Sequence, residues 1–394
     1  MKKILLVHNY YQQRAGEFSA VTRQIALLRQ YGHDLIVYTK DNRTIKQFGL
    51  ADKVKFMPNT VFSKQVYHEV MQRVQRTRPD VAHVHNVYPL LSPAIYRALK
   101  DAQVPIVQTL HNFRFLGCAN SYFYIDGQIC ERCKYGNTLH AIKHRCYRDS
   151  YPLSALYAFT IALHRRLGTF RHIDRFIALN RFTAQMMIES GLATADKISV
   201  LGNFLAEPLP EPGSYSNRKP FFIFLGRLSP EKGIDVLIEA MASVPHLGLK
   251  VLGTGTEKER LERRAQVLGL DKVEFLGWVD GDEKWRLLRE ATATVVPSVC
   301  YEQFPSAALE SLAVGTPVVG SNLGGLPSLV QHEETGLLFE AANSSDLAQQ
   351  LKHLSASPHL AYEMGRRGRE RVLSHYVASV HYEKLMAIYH EVAN

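Results

Sequence analysis

At 394 residues, with 46% hydrophobic and 21% charged side chains, the chain has the composition of a soluble globular protein and enough material for two domains with separate cores. Five cysteines are too few for a disulfide framework, and no apolar window approaches the length of a membrane-spanning helix. The net charge of +10 is uneven, since residues 1–203 carry 28 Lys and Arg against 13 Asp and Glu, while residues 204–394 carry 19 against 24. The basic first half suits an anionic partner, whether nucleic acid, membrane surface or phosphorylated substrate.

The opening MKKILLVHNYYQQ has two lysines and an apolar run, as a secretion signal has, but the run ends after Val7 and is too short for a signal core. It reads as a first buried strand, and the chain is expected to stay in the cytoplasm. Short runs rich in β-branched residues follow at 35–39, 81–85, 105–111 and 175–179, with amphipathic stretches such as SAVTRQIALLRQYG between them. That alternation predicts a parallel sheet with helices on both faces. His85 ends the third run, and Asn86 and Tyr88 follow it. There they are either ligand contacts beyond a strand end or polar residues beside the core.

Cys118, Cys130, Cys133 and Cys146 are spaced C-x11-C-x2-C-x12-C, with His140 and His144 nearby. A structural zinc is one reading of this set and reduced thiols packing a long loop is the other; the outer spacings depart from a standard finger. Around the cysteines, Arg114, Lys134, Lys143, Arg145 and Arg148 lead into the apolar helix YPLSALYAFTIALHRRLGTFRH. This region reads either as a surface for anionic lipid headgroups, making the protein peripheral on the inner face of a membrane, or as a core helix with a solvated basic rim.

FLAEPLPEPGSYSNRKP at 204–220, with four prolines, reads as an exposed linker. The expected domains are therefore 1–203 and 204–377, with a C-terminal helix at about 378–394 packing back on the first. Runs at 221–226, 249–253, 273–279, 294–298, 317–321 and 336–339 repeat the strand pattern. The predicted fold class is α/β, two facing Rossmann-like domains with ligands beyond the carboxyl ends of the strands, in the interdomain cleft.

In GRLSPEKG, Arg227 and Lys232 flank a strand-to-helix turn beside Gly233, which makes either a diphosphate site or a solvated loop. Asp280-Gly281-Asp282 has the D-x-D form of a metal–nucleotide site, but it precedes EKWRLLREA, and a helix cap is the expected role of Asp280 or Asp282. In YEQFPSAALE, Glu302 lies in a loop and Glu310 in a helix that starts near Pro305 or Ser306. The free N–H groups of that helix start suit hydroxyls or phosphate. Two acids about two helical turns apart would face different parts of one elongated ligand.

GRLSPEKG, then Glu302 and Glu310 as E-x7-E, then AVGTPVVGSNLGGLPSLVQHEETGLLF resembles the second domain of the retaining glycosyltransferases of family 4, which have the GT-B fold. The likeness runs over most of 221–376. In the first half, QQRAGEFSAVTRQIALL is similar to the family's glycine loop, with Ala15-Gly16 where many members have two glycines, and TLHN at 109–112 matches a strand-end histidine. The resemblance implies that Arg227 and Lys232 hold a diphosphate and stabilise the leaving nucleotide. Glu302 would take hydroxyls of the donor sugar, and along the stretch Gln303, Phe304, Pro305 and Ser306 the backbone N–H groups, which Pro305 lacks, would reach sugar and phosphate. Glu310 would take the ribose, His111 the sugar near its reacting face, and Gly16 the donor phosphate. Val279 and the Gly253–Gly255 turn would border the base, and His85, Asn86 and Tyr88 would stack on or bond an acceptor sugar unless they are core-adjacent polar residues. No metal or other cofactor is required for the transfer that the resemblance implies.

The expected function is transfer of a hexose from a nucleotide diphosphosugar, UDP-glucose first, to a glycan or lipid-linked glycan in polysaccharide biosynthesis. GDP-mannose and UDP-GlcNAc stay open as donors. Non-hydrolysing sugar-nucleotide epimerases share the fold but lack E-x7-E. A nucleic-acid-binding protein would leave the second half without a purpose, and no aromatic-basic RNA module is present, so no nucleic acid is expected as a partner.

Overall fold

The computed structural model describes residues 1–11, 16–117, 119 and 122–393, with backbone alone at 50, 51, 53 and 54. The chain folds as two compact units, one of residues 1–123, 130–203 and 381–394, the other of residues 124–129 and 204–380.

Up to residue 203 the strands are β1 (Lys3–Tyr10), β2 (Asp34–Asp41), β3 (Val81–Asn86), β4 (Ile106–Leu110), β5 (Tyr124–Ile125), β6 (Gln128–Ile129), β7 (Arg175–Ala178) and β8 (Ile198–Val200). β5 and β6 form a small antiparallel hairpin; the others make one parallel sheet in the order β2-β1-β3-β4-β7-β8. Parallel strands covered on both faces read as unbroken apolar runs, and Ile4, Leu5, Leu6 and Val7 are accordingly all fully buried. One core cluster joins Ile4, Leu28, Val81, Val107 and Ile177 to Leu385, Ile388 and Tyr389 of the helix Ala378–Ala393.

Besides the β5–β6 hairpin, the second unit holds a parallel sheet of β9 (Phe221–Leu225), β10 (Gly248–Leu252), β11 (Val273–Gly277), β12 (Ala293–Val296), β13 (Val318–Ser321) and β14 (Gly336–Phe339), in the order β11-β10-β9-β12-β13-β14. The chain lays β10 and β11 on one side of β9 and then crosses to β12 on the other. The loops leaving the carboxyl ends of β9 and β12 therefore start side by side, at the kind of switch point where ligands sit in such sheets.

Residues 206–208, 211, 212, 214–217, 219 and 220 are exposed, as expected of a linker, but the segment is also tied down at several points. Leu205 pairs with Val377, the Gly213 N–H donates to Val314 O at 2.9 Å, and Arg218 Nη1 donates to Ala291 O at 2.6 Å. Proline content marked an irregular segment, but a guanidinium reaching backbone carbonyls straps this one onto the second unit. Among the described residues no helix is long and apolar enough to cross a membrane.

Candidate active site

The loop after β9 passes Arg227 and makes a short turn at Pro230–Lys232 before the helix Ile234–Met241. Gly233 ends the turn in the left-handed region, φ +66°, and a Cβ there would lie 1.9 Å from Pro297 O. Only glycine permits that approach, which lays the loop after β9 against the loop after β12, with the Val299 N–H donating to Glu231 O at 3.0 Å. Lys232 Nζ consequently reaches Glu302 and donates to Oε1 at 2.6 Å, and Ser298 Oγ donates to the same oxygen at 2.6 Å. Glu302 is only 8% exposed. Burial works against its charge, but Lys232, Ser298 and Arg227 together hold its carboxyl below the ordinary range. Arg227 is bonded through Nη2 to Glu231 Oε1 at 2.6 Å and through Nε to Ser229 Oγ at 3.1 Å. Arg227, Lys232 and Glu302 thus belong to one cluster in the second unit.

Pro305 is extended and precedes the helix Ser306–Ala313, whose first turn has no side-chain cap. Ser311 Oγ donates to Thr294 Oγ1 at 2.7 Å, tying this helix to β12. Gln303 and Phe304 are buried, and Phe304 meets Tyr376 edge-on with ring centroids 5.4 Å apart. Glu310 has a different lysine partner: its Oε2 is 3.2 Å from Lys284 Nζ, on the helix Gly281–Glu290. The two acids are therefore each paired with a different lysine. Asp280 caps the helix that carries Lys284, accepting from the Gly281 N–H at 2.8 Å, and also lies 3.5 Å from Lys284 Nζ. Ser298, Lys284 and Glu231 had no place in the sequence expectations, because polar residues in loops and on helix surfaces carry no mark of the acid or base they will meet.

Gly253 and Gly255 have a backbone role. Gly253 sits at φ +145°, where a Cβ would come 1.8 Å from Gly226 O, and at Gly255 a Cβ would come 2.1 Å from Leu228 O. Val279 packs partly buried against the cluster of Phe221, Ile223, Leu252 and Leu287.

In the first unit Gly16 opens the helix Gly16–Gln30, and residues 12–15 lie outside the described residues. His111 stacks on His85 at 5.2 Å, with His111 Nε2 and His85 Nδ1 2.9 Å apart. Asn86 Nδ2 donates to Asn9 O at 2.9 Å. Tyr88 is buried and borders a cavity with Phe56, Arg114, Tyr147 and Tyr157. The side chains of His85 and Asn86 are thus bonded inside the unit, and Tyr88, equally buried, lines that cavity. His8 Nδ1 lies 3.7 Å from Glu17 Oε1. Burial pushes Glu17 up to about 8 and, together with His111, pushes His8 down to about 3, so burial disfavours the charged form of both partners.

Of the four clustered cysteines, Cys118 lies outside the described residues. Cys133 is buried, and burial together with neighbouring Cys130 pushes its thiol up. Among the described residues no three His, Cys, Asp or Glu side chains come together as a metal site would need.

Two family models match the chain, "Glycosyltransferase Family 4" over residues 19–206 and "Glycosyl transferases group 1" over residues 209–371. The chain is 34% identical over 308 residues to glycogen synthase of Mycobacterium tuberculosis, covering 76% of this chain and 66% of that one. Across other curated relatives it spans about a third to two thirds of their length. In structure it is similar to sucrose-phosphate synthase from Thermosynechococcus elongatus, with TM-score 0.73, 19% identity and 99% of both chains covered. It is also similar to HepE of Anabaena in complex with UDP, with TM-score 0.69, 17% identity, 99% of this chain and 100% of that one. At these identities the structural likenesses establish the fold.

Proposed function

The chain is a GT-B glycosyltransferase, a family 4 domain followed by a group 1 domain, and on that premise we propose that it moves a hexose from a nucleotide diphosphosugar, UDP-glucose first, to a glycan or lipid-linked glycan with retained anomeric configuration. The observation that carries the proposal is the cluster of Arg227, Lys232 and Glu302 at the β9/β12 switch point. A departing nucleoside diphosphate gains negative charge, which two fixed cations and an uncapped helix start would stabilise from the chain's own groups, without a metal. Glu302, held ionised by Lys232, is an acceptor for sugar hydroxyls, and Glu310 for those of the ribose. Support for a uridine donor comes from HepE, whose structures hold UDP and UDP-glucose.

A thermal-shift comparison of UDP with GDP tests the donor, because a ligand bound only by the folded state raises the melting temperature. UDP is expected to raise it by several degrees and GDP by much less; a shift with GDP alone would overturn the assignment. Incubation with UDP-glucose in the presence of a chelator should then yield UDP and glucose slowly, whereas a C2-inverted sugar nucleotide would identify an epimerase.

The helix Tyr151–Arg166 supports a membrane-facing reading of the basic half. Tyr151, Phe159 and Arg166 are exposed at helical spacing on it, and Leu139 and Leu167 beside it are also exposed. The protein should pellet with anionic liposomes at low salt and be released as salt rises. Binding to neutral and anionic vesicles alike, or to neither, would remove this part of the proposal.

A further inference from the structure

The first unit contains a buried column of rings that the proposed chemistry leaves unused. Tyr389, on the helix Ala378–Ala393, places its hydroxyl 2.5 Å from His83 Nδ1, and the Gln24 amide Nε2 lies 2.8 Å from the same nitrogen. A nitrogen facing an amide donor accepts, so the proton of neutral His83 sits on Nε2 and is donated to Thr109 Oγ1 at 2.7 Å. His83 stacks on His85 at 4.4 Å, with ring planes 18° apart, and His85 stacks on His111 in turn. Burial lowers the pKa of both His111, to about 4, and the central His85, well below its ordinary value, so each is neutral and one proton lies between His85 Nδ1 and His111 Nε2.

The other nitrogen of His85 decides which ring supplies that proton. His85 Nε2 is buried and has no hydrogen-bond partner among the described residues. Were the His85 proton on Nε2, the unit would contain an orphaned N–H. With the proton on Nδ1, the orphan is only a lone pair, and buried lone pairs are left unmatched more readily than buried N–H groups. His85 Nδ1–H therefore donates to His111 Nε2, which leaves the His111 proton on Nδ1.

We propose that His85 is a positioning residue that fixes His111 as its neutral Nδ1–H tautomer, so that the strand-end histidine offers a hydrogen-bond donor and not a base. The tautomer stands on the geometry of the first unit; its effect on rate rests on the reading of His111 as a contact to the donor sugar.

Long-range proton–nitrogen NMR of the full chain, with His111 assigned through His111→Asn, reads the tautomer directly. The native protein and His85→Asn, whose amide can donate from nearly the same place, should both show Nδ1–H at His111. In His85→Leu that preference should be lost, and kcat should fall roughly ten- to a hundred-fold with the donor KM within about two-fold. An Nε2–H tautomer in the native protein, or an unchanged tautomer in His85→Leu, overturns the proposal. A changed tautomer with unchanged kcat upholds the hold of His85 on the ring and removes the sugar contact of His111. If His85→Leu fails to fold, the native and His85→Asn spectra still decide.

Discussion

Replacing Glu302 with alanine is expected to lower sugar transfer by about a hundred- to a thousand-fold, the scale of losing one fixed polar group at a reacting centre. The carboxylate would no longer accept the donor hydroxyls, and Lys232 would lose the oxygen 2.6 Å from its ammonium that fixes where it points. Because that lysine is mostly buried, some loss of stability should accompany the substitution, about 1–3 kcal/mol. Glu302→Gln separates charge from shape: it keeps an oxygen for Lys232 and Ser298, so it should melt closer to the native protein while transferring nearly as poorly as the alanine variant. The native carboxyl is held below its ordinary 4.5, so its contribution to stability is present above that pH and is lost as pH falls through the lower folded value. Glu302→Gln should lack this component of acid destabilisation. Near-native turnover in Glu302→Ala, measured with UDP-glucose and judged beside its melting curve, would refute the site assignment.

Gly253→Ala is expected to destabilise the second unit by roughly 3 kcal/mol or more, a size reserved for forced overlap and backbone strain. Its φ of +145° is costly for any residue with a Cβ, and that Cβ would be driven to 1.8 Å from Gly226 O. The colliding backbone is pinned on both sides, by Gly226 N–H to Leu252 O at 3.0 Å and by Gly253 N–H to Gly277 O at 2.7 Å, so relief would require breaking the ends of β9, β10 and β11 together. For a unit of this size the loss corresponds to a melting shift of roughly 6–12 °C. A glycine that served only to admit the nucleotide base would give a different result, with an unchanged melting temperature and weaker UDP binding. Calorimetry of the variant with and without UDP distinguishes the two.

The parallel strands were largely legible because burial on both faces leaves a continuous apolar run, as in ILLV of β1 or PVVGS around β13. β8 escaped notice because Ile198–Val200 is three residues on a sheet edge and only partly buried, and the β5–β6 hairpin because each strand has two residues. At the candidate site, residue types and their place at strand ends were readable, but their partners were not. Lys232 and Glu302 are 70 residues apart, Lys284 and Glu310 sit on different helices, and His83 meets Tyr389 across 306 residues. Local spacing places a charge on a loop; only the sheet order decides which other loop arrives beside it.

The sheet of the first unit is complete by residue 200, yet its core cluster includes Leu385, Ile388 and Tyr389. Emerging from the ribosome, this unit would expose the patch around Ile4, Val81 and Val107 throughout synthesis of the roughly 180 residues that follow, tens of seconds at the slower elongation rates. The half made first is thus closed last, and a chain stopped short of residue 381 would release a second unit with its full complement of strands beside a first unit with an open apolar seam.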